Sequence, residues 1–259
     1  VGVGCGPYND VSQDYDDRID MVYPSGGIWP AEEPLEHAPA NGGTAGKGFA
    51  MTFARLYAAK LAQNRKVLLV PVALGGTSIL QWDNLVDSSL DFHTPTNGGD
   101  PRGRDSRELI DTLTRQTRIA LRAGGFGSHN KIAALLWHQG ETDMLFMSLT
   151  NDPIHRAMPD VMTYGRKFAE YVQLVRKTFP NQSFPVIAGE LGRFFEPSFS
   201  GANGLTAFNA QLTKTARGLK NVSIVSSENL GNGIDAHCAF WPIEGMPQGD
   251  PVHFNAAAQ

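Results

Sequence analysis

Residues 67–74 read Val-Leu-Leu-Val-Pro-Val-Ala-Leu, and Gly75-Gly76-Thr77-Ser78 follows directly. A continuous apolar run of this length is typical of a parallel strand that is buried on both faces. Three further short runs are predicted as strands of the same sheet, at residues 132–137, 184–191 and 222–225. The sequence therefore predicts a buried and mainly parallel sheet.

Helical segments alternate with these strands. Apolar residues at i, i+3 and i+4 spacing predict helices over residues 49–63, 109–121, 164–179 and 205–219. Strands that alternate with helices indicate βαβ units. We expect one α/β domain over residues 1–259, with helices on both faces of the sheet.

Composition narrows the class of protein. The chain of 259 residues is 41% hydrophobic, which excludes a disordered protein. The net charge of -4 is mild and unclustered, so nucleic acid is not an expected partner. No apolar run approaches the roughly 18–20 residues of a membrane span.

Two features favour a secreted, extracellular protein. Cys5 and Cys238 are either two small buried residues or one disulfide that ties the start of the chain to the loop before His253. The sequons at Asn181 and Asn221 permit N-glycosylation in a eukaryotic secretory pathway.

Three polar segments are expected at the carboxyl ends of the strands, where open α/β sheets bind their ligands. They are residues 75–78, residues 138–143 (His-Gln-Gly-Glu-Thr-Asp) and the loop that contains Asp250 and His253. Their convergence predicts a functional site at this edge of the sheet.

His253 is the expected general base of that site. Asp250 lies three residues before it, so its carboxylate could contact the Nδ1 side of the imidazole and leave Nε2 free to take a proton. Glu141 is a further carboxylate that could orient or charge-balance His253, and the residues alone leave this choice open.

The His-Gln-Gly-Glu segment is either a hydrogen-bonded turn or part of an oxyanion hole. In the second interpretation the Gly76 N–H and the Gln139 amide would be aimed at a developing negative charge. Gly75, Thr77 and His138 would then lie in the substrate cleft. No third metal ligand stands at a suggestive spacing from His138 and Glu141, so we expect no metal and no other cofactor.

These segments together resemble a known family. The blocks at residues 74–78, 137–143 and 250–253 look like successive blocks of the SGNH (GDSL-type) hydrolases, and the resemblance extends from about Trp29 to Gln259. It is closest to the sialate O-acetylesterase-like branch, which includes carbohydrate esterases of the acetyl xylan esterase type. The resemblance implies a flavodoxin-like three-layer sandwich, deacetylation of carbohydrate, and no cofactor.

The resemblance also implies roles for individual residues. His253 would be the base and Asp250 its orienter, although in some members a Glu at the position of Glu141 is credited with orienting. Gly76 and Gln139 would occupy the oxyanion-hole positions. Since the start of the chain would lie next to the nucleophile loop, a bridge between Cys5 and Cys238 is expected.

The sequence departs from the family at the nucleophile. The family's Gly-Gln-Ser-Asn motif, at the end of its first strand, does not occur here, and residues 1–4 resemble the segment directly after that motif. We therefore expect that the printed chain lacks the first strand with the nucleophile and the last helix. Ser12, Ser25 and Ser78 are the nearest serines, and Ser12 and Ser78 lack the strand-then-turn setting that a nucleophile needs.

The sequence thus predicts a serine esterase that removes O-acetyl groups from carbohydrate, of sialate or xylan type, through a Ser-His-Asp/Glu triad. One alternative is a non-catalytic carbohydrate-binding or structural subunit on the same fold. Another is a metal-dependent hydrolase that uses His138 and Glu141. The sugar, the acetyl position and the oligomeric state are left open.

Overall fold

The computed structural model describes residues 16–33, 35–37, 48–74, 77–82, 107–124, 129–147, 161–192, 204–228 and 230. Helices and strands alternate within these ranges. In chain order they are β1 (Ile19–Val22), β2 (Ile28–Pro30), α1 (Phe49–Ala58), β3 (Val67–Leu69), a 3₁₀ turn (Ile79–Trp82), α2 (Arg107–Arg122), β4 (Leu135–Trp137), α3 (Glu141–Met147), α4 (Val161–Thr178), β5 (Val186–Gly189), α5 (Gly204–Arg217) and β6 (Val222–Val225).

The described strands form two three-stranded sheets, ordered β2-β1-β3 and β4-β5-β6. β1 pairs with β3 in parallel, β4 with β5 and β5 with β6 likewise, and only β2 runs antiparallel to its neighbour β1. The predicted α/β class with mainly parallel pairing is confirmed, although within the described residues β3 lies in a different sheet from β4, β5 and β6.

The predicted elements differ from the observed ones mainly at their ends. The ladder of β3 stops at Leu69, because Pro71 has no N–H to donate to a neighbouring strand. Residues 72–74 remain buried nonetheless. Helix α1 ends at Ala58, and the next turn tightens into i→i−3 bonds such as the one from the Leu61 N–H to the Ala58 carbonyl.

The short apolar stretch at residues 19–23 predicts β1, whereas β2, α3 and the 3₁₀ turn were not predicted. The first two of these illustrate why. β2 has only three residues, two of them exposed, and therefore carries little apolar signal. α3 begins within the polar segment that was interpreted as either a turn or a site, and it is seven residues long. Both are short enough to depend on their neighbours rather than on their own propensity.

The buried side chains form two clusters. The smaller lies between β1 and α1 and includes Ile19, Met21 and Met51. The larger fills the space around α2, α4, α5 and the β4-β5-β6 sheet. Trp137 on β4 lies at its aromatic centre, with ring centroids 4.3 Å from Tyr171 and 5.2 Å from Trp82. Trp82 follows β3, so this contact joins the two sheets.

Within the described residues, β3 pairs along one edge only, with β1, and β4 likewise only with β5. The expectation that the first strand with the nucleophile is missing is not tested by the described residues. That expectation, the expected loss of the last helix and the single-domain assignment over 1–259 stay predictions. No helix in the described part of the chain is long and apolar enough to cross a membrane.

Gly140 is required where β4 turns into α3. Its φ is +142°, and a Cβ there would lie 2.5 Å from Cζ of Phe208. We expect Gly140→Ala to lower the free energy of unfolding by about 2–5 kcal/mol, through backbone strain and overpacking together. Urea denaturation measures this. Gly218→Ala is the control, since its Cβ would approach only to 3.3 Å and its φ is not positive. Equal losses in the two variants would contradict the assignment.

Candidate active site

Two loops meet at the carboxyl ends of β3 and β4. The Gln139 Nε2 group, just after β4, donates at 2.8 Å to the carbonyl of Thr77, which lies in the segment that follows β3. These residues are 62 positions apart in the chain. The structure therefore brings together two of the three polar segments that the sequence predicted to converge.

Asp143 binds both loops. Its Oδ1 accepts from the Ser78 hydroxyl at 2.5 Å, and its Oδ2 accepts from Gln139 Nε2 at 2.5 Å. The Ile79 N–H is shared between the two oxygens, at 3.3 and 3.1 Å. We call this arrangement of Thr77, Ser78, Ile79, Gln139 and Asp143 the Asp143 network.

The surrounding side chains complete the network. The Tyr164 hydroxyl, from α4, donates to the Gln139 backbone carbonyl at 2.6 Å and lies 3.2 Å from its Oε1. The Thr77 hydroxyl donates to the Leu74 carbonyl at 2.8 Å and accepts from Trp82 Nε1 at 3.3 Å. Each of these polar groups is buried and each has a partner, as buried polar groups require.

The Gln139 amide is turned into this network. Its two N–H groups face two acceptors, the Thr77 carbonyl and the Asp143 carboxylate, and the residue is 8% exposed. An amide nitrogen carries only two hydrogens. To bind an oxyanion, Gln139 must therefore exchange one of these bonds for the new one. Its role as an oxyanion donor stays a prediction.

Burial governs the ionisation of Asp143. The residue is wholly buried, and the loss of solvation raises its pKa from 3.8 to about 6. Donation from Ser78, Gln139 and the Ile79 N–H opposes this rise, and the charge of Glu141 adds to it. Burial also raises the pKa of Tyr164 well above its usual value, so this hydroxyl remains a donor at neutral pH.

His138 and Glu141 form a second, more exposed pair. Glu141 Oε1 lies 3.3 Å from His138 Nδ1, while the other ring nitrogen lies 3.3 Å from the Glu190 carbonyl. The ring packs edge-on against Phe49, and a Cβ on Gly189 would approach it to 2.7 Å. Gly189 thus makes room for His138, and His138 in turn contacts Glu141.

The described residues contain no group of three His, Cys, Asp or Glu side chains placed to hold a metal ion. His138 and Glu141 are adjacent but acquire no third ligand among them. The described part of the chain thus offers no support for the metal-dependent alternative.

Several predicted site residues lie outside the described residues: Gly75, Gly76, Asp250, His253, Cys5 and Cys238. Their assigned roles and the disulfide stay predictions. Thr77, expected in the substrate cleft, has a buried side chain with both its hydrogen bonds made internally.

The positions that hold the site together were not predicted from the sequence. The sequence indicates Ser78 and Asp143 only as members of the polar segments at residues 75–78 and 138–143. It indicates Tyr164 only as one residue of a predicted helix. One local signal was present, because Gln139 and Asp143 are four residues apart at the start of a helix and can therefore share one face.

The fold and the motif blocks that meet at this edge are those of the SGNH-like carbohydrate esterases. Residues 4–259 match the model of a family described as carbohydrate esterase, sialic acid-specific acetylesterase (SASA). The chain belongs to this family, which confirms the resemblance found in the sequence.

A curated relative is a probable carbohydrate esterase of Arabidopsis thaliana. It is 28% identical over 158 residues, which are 61% of this chain and 46% of the relative, so the match spans about half of that protein. A crystal structure of the same Arabidopsis protein matches with a TM-score of 0.59 and 22% identity, over 94% of this chain and 76% of that one. The structural match shows a shared fold.

The raised pKa of Asp143 predicts a pH-dependent stability. Because the folded-state pKa of about 6 exceeds the usual 3.8, the native state binds the extra proton between these values, and stability falls as the pH rises through them. We expect the free energy of unfolding of the wild type, relative to Asp143→Asn, to fall from about pH 4 to about pH 7. Urea unfolding at each pH measures it. A constant or rising difference would show that the carboxyl is not destabilised by burial.

Proposed function

We propose that the protein is a carbohydrate O-acetylesterase that works by acyl transfer to a serine. The observation that carries the proposal is the Asp143 network, which joins the loops after β3 and β4 at the edge where parallel sheets bind ligands. Membership in a family of carbohydrate esterases supports the reaction class.

In the proposed reaction, His253 takes the proton of a serine hydroxyl as the serine attacks the acetyl carbonyl. The alcohol of the sugar leaves with a proton from His253, and water then releases acetate from the acyl-enzyme. The serine belongs to a Gly-Gln-Ser-Asn setting, a motif that does not occur among the 259 residues. No cofactor takes part.

Asp250 is the proposed orienter of His253. Glu141 is in contact with His138, at 3.3 Å, and this contact already uses one of its oxygens. We therefore assign Glu141 to holding His138 at the edge of the site and Asp250 to fixing the His253 tautomer.

The Gly76 N–H and the Gln139 amide are the proposed oxyanion donors. When the tetrahedral intermediate forms, Gln139 gives up its bond to the neutral Thr77 carbonyl and donates to the oxyanion instead. Such an exchange favours the transition state, because a negatively charged acceptor binds the N–H more strongly than a carbonyl does.

The proposed substrate is an acetylated carbohydrate of the sialate or xylan type, met outside the cell. Both sequons support an extracellular location. Asn181 and Asn221 are exposed and precede β5 and β6, so glycans there would lie at the opposite edge of the sheet from the site.

His253→Ala tests the base. We expect kcat/KM for p-nitrophenyl acetate and for an acetylated sugar to fall by roughly 10⁴- to 10⁶-fold, with folding intact, since a triad member contributes catalysis rather than packing. His129→Ala is the matched control, because His129 is exposed in the segment before β4. The full natural polypeptide is assayed with and without a serine-directed fluorophosphonate. Sugar binding without turnover in the wild type would favour the non-catalytic subunit instead.

Expression in a eukaryotic secretory host tests the two sequons. We expect glycosidase treatment to reduce the apparent mass of the wild type, and Ser183→Ala and Ser223→Ala each to remove one of the two shifts. These serines are exposed, and the changes leave the positive φ of Asn221 untouched. Esterase activity should be unchanged by glycan removal. A large loss of activity would show that the glycosylated edge is not remote from the site.

A further inference from the structure

We infer that Asp143 and Ser78 are positioning residues, which fix the Gln139 amide relative to the Thr77–Ser78 segment before substrate binds. The inference deepens the proposed function and rests on it, because the Gln139 amide that they position is a proposed oxyanion donor. Neither residue touches the substrate in this scheme.

The two oxygens of the Asp143 carboxylate accept hydrogen bonds from two different loops. Oδ1 takes the hydroxyl of Ser78, which follows β3, and Oδ2 takes the amide of Gln139, which follows β4. The Ile79 N–H lies near both oxygens. A planar group that receives donors in these fixed directions sets the distance and the angle between the loops.

In the described part of the chain, β3 and β4 belong to different sheets, so no backbone ladder bond between them fixes the two loops that follow. Described contacts near the site that cross between them are the Asp143 network and the Trp82–Trp137 ring pair. The ring pair is apolar and permits sliding, whereas the carboxylate bonds are directional.

The cost of burying Asp143 also indicates that its role is to position other groups rather than to add stability. An isolated carboxylate is costly to bury, and Asp143 is completely inaccessible. A carboxylate is therefore a poor way to gain stability alone. It does supply several strong acceptor directions at one point, which suits the positioning of donors.

For the reaction, the important hydrogen bond is the one between Gln139 and Asp143. When Gln139 releases the Thr77 carbonyl, its second N–H stays on Asp143 Oδ2 and determines where the first N–H points. Tyr164 holds the backbone of Gln139 at the same time. Without the carboxylate the amide could rotate, and an error of about 1 Å in such a donor costs roughly 10²-fold in rate.

The test uses variants that keep shape and change hydrogen bonding. Ser78→Thr and Ser78→Val introduce side chains of nearly the same shape, in which a methyl group of Val replaces the hydroxyl of Thr. We expect Val to lower kcat about tenfold relative to Thr, the equivalent of one hydrogen bond, with KM nearly unchanged. Asp143→Asn should lower kcat by about 10²-fold. Both kcat and KM are measured on the full natural polypeptide with p-nitrophenyl acetate.

A core variant separates positioning from stability. Val172→Ala removes buried volume in α4, where Val172 is fully buried, and should lower the melting temperature while leaving kcat unchanged. If Asp143→Asn does not fold, the Ser78 pair decides. An active wild type with equal kcat in the two Ser78 variants overturns this inference and leaves the proposed function intact. An inactive wild type overturns both.

Discussion

The bonds of one buried carboxylate connect the two halves of the described structure near the site. Asp143 accepts from Ser78 and Ile79 after β3 and from Gln139 after β4, two strands that pair with different neighbours. Since no ladder bond joins β3 and β4 in the described ranges, this network supplies directional contacts between the two loops. The Trp82–Trp137 contact adds apolar area beneath it.

Burying the Asp143 carboxylate costs folding stability but provides a hydrogen-bond acceptor of fixed direction for Gln139. Burial raises the pKa of Asp143 to about 6, so the ionised form carries a cost at neutral pH that its donors offset in part. In return, an acceptor with fixed geometry holds Gln139 between the carboxylate and the Thr77 carbonyl. An amide with two exchangeable acceptors can be held firmly at rest and can still turn one N–H to a stronger acceptor during a reaction.

Packing around the site depends on small residues at two strand ends. Gly140 lets the chain leave β4 with a positive φ beneath Phe208, and Gly189 leaves room for the His138 ring at the end of β5. The ring then lies between Glu141 and the Glu190 carbonyl. The residues that follow β4 and β5 therefore meet at one edge, while the exposed Asn181 and Asn221 precede β5 and β6 at the other.

The sequence by itself determined the α/β class, because the periodicity of residues 205–219 and the apolar run at 222–225 are local properties of the chain. It also determined the family, through motif blocks that can be read in order. It did not reveal that Ser78 and Asp143 are bonded, since they are 65 residues apart and each has an ordinary local interpretation. Nor did it show that Gln139 faces inward, because the rotamer of that side chain follows from acceptors on another loop. Only the tertiary structure decided these contacts, since long-range hydrogen bonds depend on how strands and helices pack and leave no periodic signal in the chain.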